Sequence, residues 1–296
     1  MTSVIPIPPS FNADGSFDIK STVKYLSFLQ TQQVSTVMTT AGTSLFNLLD
    51  DQETRMLNET LYARFSGKKI IGIPPLSLNS TLKFLDKQIE NFPMYDATYT
   101  NHQNHHFMFL YPDRFYEEKT LIDYFTKISK HINSRIYIHT MPMRNGRGGE
   151  WNYTASLLNE LYEEGVLTGI KEEYFNLAAA YNFVLDLSKD IDIIVAGGSI
   201  RRFEFLKNAG ANSLLAGIGN IFPSIENDYL LGNTKSIELE NKFFKVFMKH
   251  GWHRSLRIAL SLQGLTCFHD RTPWPERSPY IVQEIENVLK EIENEK

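Results

Sequence analysis

Cysteine is almost absent: Cys267 is the one thiol in 296 residues. A single thiol closes no intramolecular disulfide and builds no cysteine metal knuckle, so neither device holds this fold together. Charge of one sign is also scarce. Against 34 Asp and Glu stand 30 Lys and Arg, a formal net charge of −4, and the basic residues are dispersed rather than grouped in a stripe. That balance argues against nucleic acid or a membrane surface as partner and leaves a small molecule as the expected one. Long apolar runs are missing too. No window approaches the roughly 20 apolar residues of a membrane span, and Met1-Thr2-Ser3-Val4-Ile5-Pro6 has neither a basic n-region nor a long apolar stretch. A cytoplasmic protein is the expectation.

What the chain does have is 42% apolar and 22% charged residues, enough for one large core. Short apolar β runs alternate with segments of helical period. The expected strands are Val4–Ile7, Val34–Thr40, Lys69–Ile73, His106–Leu110, Arg135–His139, Val166–Lys171, Ile191–Ala196 and Ala211–Ala216. Between them, stripes such as Ile19, Val23, Leu26 and Leu29, entered through Asp18 as N-cap, read as amphipathic helices. Asn79 or Ser80 is the expected cap of the third helix, and Trp151 to Glu164 the expected fifth helix. Eight such units are the count of a (β/α)8 TIM barrel over 1–222, with additional C-terminal helices over 223–296 packed on it as one structural unit.

In such a barrel the chemistry sits at the C-terminal ends of the strands. Those ends carry Pro8-Pro9, Thr43-Ser44, Pro74-Pro75, Tyr111, His139, Lys171, Gly197-Gly198 and Gly217-Ile218-Gly219-Asn220. Lys171 closes the apolar run Val166-Leu167-Thr168-Gly169-Ile170, so its stem is packed and its amine emerges at the rim. Apolar surroundings disfavour the charged form of an amine and leave it free to attack a carbonyl. The competing reading is a structural salt bridge to Glu172 or Glu173.

Gly169-Ile170-Lys171-Glu172 resembles the G-[IV]-K-[ED] strand of the dihydrodipicolinate synthase and N-acetylneuraminate lyase family, pyruvate-dependent class I aldolases on a TIM barrel. The resemblance runs from Ile5-Pro6 to Arg271-Thr272-Pro273. It implies that Lys171 forms an imine with pyruvate or another 2-oxo acid, with no cofactor beyond that covalent bond. It implies that Thr43 relays protons, that Thr43 and Ser44 hold the substrate carboxylate, and that Gly197 and Leu215 line the 2-oxo acid site. Arg144 takes the place of the arginine that binds a carboxylate on the aldehyde partner. A homotetramer or homodimer is implied as well.

The chain departs from the family pattern in two places. Leu45 and Phe46 stand where Gly and Glu are usual, and His139 stands in the place of the tyrosine that passes protons to the intermediate. Imidazole exchanges a proton near neutrality more readily than a phenol, so His139 is the expected acid and base. The two departures also motivate an alternative, a barrel that binds a 2-oxo acid as a regulatory or binding protein without efficient turnover.

Other clusters carry weaker expectations. His102, His105 and His106 lie close in a polar segment, Met94 to His105, but lack a carboxylate at helical spacing, and no metal site is expected. Arg201 and Arg202 open a helix after Gly197-Gly198, where barrels often bind phosphate, although they also have solvent or a neighbouring carboxylate within reach. His250, Trp252, His253 and Arg254 read as tail packing or subunit contact.

Overall fold

The computed structural model describes residues 1–40, 42–74, 76–92, 105–109, 117–141, 153–197, 199–272, 274 and 276–296. Eight parallel strands follow in the order β1 to β8 and close into a barrel. They are β1 (Thr2–Pro6), β2 (Thr36–Met38), β3 (Lys68–Ile73), β4 (His105–Phe109), β5 (Ile136–Thr140), β6 (Leu167–Glu172), β7 (Asp192–Val195) and β8 (Ser213–Leu214). Helices α1 (Ile19–Thr31), α2 (Asp51–Arg64), α3 (Leu78–Glu90), α4 (Glu118–Ile132), α5 (Ala155–Glu163), α6 (Leu177–Leu185) and α7 (Ile200–Leu206) alternate with them. Four more helices follow: α8 (Pro223–Leu230), α9 (Lys235–His250), α10 (Trp252–Leu262) and α11 (Pro279–Glu295). This is the (β/α)8 TIM barrel with C-terminal helices that the alternation predicts. No helix among the described residues is long and apolar enough to cross a membrane.

By compactness the chain divides into two units, Met1–Thr2 with Lys68–Leu215, and Ser3–Gly67 with Ala216–Lys296. In the first, β3 to β8 are buried on both faces, as parallel strands require, so they read as nearly unbroken apolar runs such as Ile193-Ile194-Val195. The helices bury one stripe each. On α4 this is Leu121, Tyr124, Phe125, Ile128 and Ile132, and Asn133 ends the helix in the left-handed conformation at φ 47°. Caps fix the starts. Thr154 accepts from the Leu157 N–H and Asn176 from the Ala179 N–H.

Three expectations shift. Ser77, not Asn79 or Ser80, is the N-cap of α3, because the buried face is Thr81, Phe84, Leu85 and Gln88. Capped by Thr154, α5 begins later than Trp151. His105 and His106 belong to β4, where consecutive side chains point to opposite faces and so do not converge on one metal ion; His102 lies outside the described residues. Among the described residues no group of metal-ligating side chains gathers.

At the start of these strands lies a polar cluster. Lys68 Nζ donates to the Tyr137 hydroxyl at 2.7 Å and to Asp192 Oδ2 at 3.2 Å, and Tyr137 donates to the same oxygen at 2.5 Å. Ser213 Oγ donates to Asp192 Oδ1 at 2.9 Å. Tyr137 crosses β6 at Gly169, where a Cβ would lie 2.6 Å from the ring, so only glycine lets the phenol reach Asp192.

In the second unit, Asp18 caps α1 as expected and Asp50 forms a capping box with Glu53 on α2. Trp252 packs among Phe243, Phe244 and Phe247, which makes it a core residue of the tail. Arg257 donates to Asp270 Oδ1 at 2.7 Å and to the Pro9 carbonyl, and Arg271 grips Glu53 and the Gly15 carbonyl. Phe11 lies beneath both guanidinium groups, with centroids 4.9 and 4.4 Å away.

Candidate active site

Parallel pairing sets His139 of β5 directly beside Lys171 of β6, and Thr140 beside Glu172. Alternation along β6 puts Gly169 and Lys171 on one face and Ile170 and Glu172 on the other, and Glu173, just past the strand's end, returns to the side of the lysine. The result is a compact triangle at the C-terminal strand ends. Lys171 Nζ lies 2.9 Å from His139 Nε2 and 2.5 Å from Glu173 Oε2, and that oxygen is 2.8 Å from His139 Nε2. The side chains of Lys171 and His139 are 6% and 2% exposed, whereas Glu173 keeps 20%. The carboxylate is therefore the triangle's opening to solvent.

The electrostatics follow from that geometry. Burial pushes the Glu173 carboxyl up, but the Lys171 charge and the His139 hydrogen bond outweigh it and hold the group well below the usual carboxylate range. One imidazole nitrogen faces both partners, so it either accepts from Nζ or donates to Oε2. Two arrangements thus have the same net charge: charged lysine with neutral imidazole, and neutral lysine with imidazolium. Glu173 is the counter-ion of both.

Glycine is needed next to it. Gly197 sits at φ 67°, and a Cβ there would meet Glu173 Cγ at 2.5 Å. Gly197 therefore shapes the seat of Glu173. Glu172, fully buried on the opposite face, takes Arg202 Nη2 at 2.6 and 2.8 Å and the Tyr174 N–H at 2.7 Å. Burial raises its carboxyl even so, against the Arg202 charge. Arg202 is thus engaged by a neighbouring carboxylate, and Arg201 is exposed. Leu215 is half-buried just after β8, its N–H bonded to the Val195 carbonyl at 2.9 Å. Arg144 lies outside the described residues.

Thr43 and Ser44 belong to the other unit. Ser44 is fully buried, and its hydroxyl donates to the Ile7 carbonyl at 2.6 Å while accepting from the Thr40 N–H at 2.9 Å. That hydroxyl is a structural tie of the β2 loop. Thr43 is 9% exposed, and two residues on Leu45 adopts φ 53°. The loop thus holds, at a leucine, a backbone shape that glycine adopts without strain.

No family model matches the chain and no curated protein matches it. Solved structures do. A prophage protein of the dihydrodipicolinic acid synthase family from E. coli K12, solved in complex with pyruvate, matches with a TM-score of 0.81 and 13% identity, covering 99% of this chain and 98% of its own. The fold is that of the dihydrodipicolinate synthases. The Aquifex aeolicus dihydrodipicolinate synthase matches at 0.80 and 16% identity over 99% and 98% of the two chains. The N-acetylneuraminate lyase of Fusobacterium nucleatum matches at 0.79 and 15% identity, over 98% of each. On the dihydrodipicolinate synthase fold, the residue that the sequence reading missed as a site member is Glu173. Its signal was present: two residues past Lys171, it falls on the lysine's face of the strand.

Proposed function

We infer that this protein is a lysine-imine lyase of the class I aldolase type, acting on a 2-oxo acid, with pyruvate the first candidate. The observation that carries this is the Lys171 amine, buried at the end of β6 within hydrogen-bond distance of an imidazole and a carboxylate. The fold shared with an N-acetylneuraminate lyase, and with a dihydrodipicolinic acid synthase family protein solved in complex with pyruvate, supports it.

The chemistry proceeds through the two equal-charge arrangements. His139 takes a proton from Lys171, and the neutral amine attacks the carbonyl carbon of the substrate. His139 then returns the proton to the carbinolamine hydroxyl, which leaves as water and yields the iminium. The same imidazole then removes or adds a proton at the carbon beyond, giving an enamine that adds to an aldehyde or arises from cleavage of the aldol. Throughout, Glu173 balances the positive charge wherever it resides. Thr43, Ser44 and Arg144 keep their proposed carboxylate roles on the sequence resemblance alone, and the buried tie of Ser44 weighs against its hydroxyl serving as a substrate donor.

A second reading, a barrel that binds a 2-oxo acid without efficient turnover, draws on the Lys171–Glu173 pair, which holds the amine in a salt bridge. Reductive trapping with borohydride separates the possibilities. Pyruvate is expected to leave an adduct on the Lys171 peptide by mass spectrometry, absent from Lys171→Ala and retained in Lys68→Ala. An adduct without turnover of any aldehyde would support the binding reading. No adduct with pyruvate or longer 2-oxo acids would overturn both.

A further inference from the structure

A 2-oxo acid carries its carboxylate on the carbon that the lysine attacks. Once Nζ is bonded to that carbon, covalent geometry holds the carboxylate oxygens about 3 Å from Nζ. Glu173 Oε2 already stands 2.5 Å from the same nitrogen. Two carboxylates would then share one cation, their nearest oxygens no more than about 5.5 Å apart, and a like charge that close disfavours the ionised form of each.

Among the described residues, the charges around Glu173 offer no relief. From β6 it faces Lys171 and has Glu172 as chain neighbour, and from β5 it faces His139. The wall beyond β7 is Gly197, which brings no charge. Arg202 of α7 is already bound by both oxygens of Glu172. Lys171 and Glu173 therefore sum to zero, and a 2-oxo acid adds a negative charge that no described cation is left to balance. Imine formation itself leaves the proton count unchanged: the Nζ–C bond forms, the C–O bond breaks, and the oxygen departs as water with two of the three ammonium protons. The compensating proton has to come from solvent, and the His139–Glu173 pair is where it lodges.

We propose that Glu173 is a specificity-determining residue that admits an uncharged carbonyl compound to Lys171 directly, but a 2-oxo acid only together with one proton. This rests on the lysine-imine reading of the same site. It makes the charge next to the carbonyl, rather than the size of the substrate, the property that this site selects.

The matched probes are pyruvate and methyl pyruvate, trapped on the whole protein with cyanoborohydride from about pH 6 to about pH 8.5 and quantified on the Lys171 peptide. In the native protein the ratio of pyruvate to methyl pyruvate labelling is expected to fall by about tenfold per pH unit on the alkaline side. In Glu173→Gln the ratio should be flat and pyruvate labelling higher. Calorimetry of the native protein in buffers of different ionisation enthalpy should record uptake of one proton per pyruvate and none per methyl pyruvate, a readout that does not depend on the variant folding. A native ratio independent of pH, with no proton uptake, would overturn this inference and leave the imine standing. Labelling of Lys171 by neither probe would overturn the imine reading and this inference with it.

Discussion

The same three chemical parts occur twice along β5 to β7 and their neighbours, and they are put to different use. Near the start of the strands, Lys68, the Tyr137 phenol and Asp192 form one cluster; at the other end, Lys171, the His139 imidazole and Glu173 form another. Both join a lysine, a ring that carries a proton and a carboxylate at distances of 2.5 to 3.2 Å. Burial and the ring decide the outcome. The Lys68 side chain is 32% exposed and that of Lys171 only 6%. Burial and the adjacent Asp192 charge push the Tyr137 phenol up, away from any pH at which it would exchange its proton. Imidazole as a side-chain type exchanges a proton far more readily than a phenol does. The first cluster is a fixed plug and the second is the one proposed to share a proton, although their inventories are nearly the same.

The largest effect expected from breaking this comparison is on stability. Glu173→Ala strips the counter-ion from a lysine with almost no access to water, a change that costs about 3 kcal/mol or more. Asp192→Ala removes the partner of a lysine that still reaches solvent, together with the acceptor of the Tyr137 and Ser213 hydroxyls, and should cost about 1 to 2 kcal/mol. Urea unfolding of the two variants beside the native protein measures both. Equal losses would mean that the triangle is no more dependent on its carboxylate than the plug is.

A third carboxylate sharpens the contrast because it is buried without a lysine. Glu226 of α8 is fully buried and accepts from the Gly219 N–H at 2.8 Å and from the Ser3 hydroxyl. Burial pushes it up to about 7, against those bonds and others from the backbone at Gly217 and Ala216. Glu173, by contrast, is held low by its cation. The signs of their linkage to folding are therefore opposite. Glu226 binds a proton in the folded chain more tightly than in the unfolded one, so its contribution is complete below about pH 4.5 and is lost as pH rises through about 7. The loss amounts to about 3 kcal/mol, and Glu226→Gln should flatten the stability profile across that window. Glu173 contributes above about pH 4.5 and loses its contribution as pH falls below it, so Glu173→Gln should flatten only the acid limb. Denaturant midpoints at several pH values test both slopes.

How much of this could be read beforehand depended on which interactions are local. Period and punctuation along the chain located all eight strands, because each is an apolar run bounded by turn residues. They ran long at β2 and β8, where only Thr36–Met38 and Ser213–Leu214 pair. Lys171 and His139 stood out by residue type at strand ends. Their 2.9 Å approach did not, since it needs the β5–β6 register, which no local pattern fixes. Choosing between Glu172 and Glu173 as the lysine's partner was open to the twofold period of a strand. Arg202 settling on Glu172 was not, because α7 and β6 are joined only by tertiary packing.

The smallest effect is local to the loop after β2. Leu45 is buried at 3% exposure yet holds φ 53°, a conformation that costs a residue with a Cβ about 1 to 2 kcal/mol. Any truncation loses the leucine's packing, so comparing a single variant with the native protein mixes two opposing effects. Comparing Leu45→Gly with Leu45→Ala cancels the lost packing. At an ordinary φ the alanine variant would be the more stable, because glycine has more freedom to lose on folding. At φ 53° the order should invert, with Leu45→Gly ahead by about 1 kcal/mol in urea unfolding. An alanine variant at least as stable as the glycine one would mean that leucine has reshaped this loop, and with it the position of Thr43.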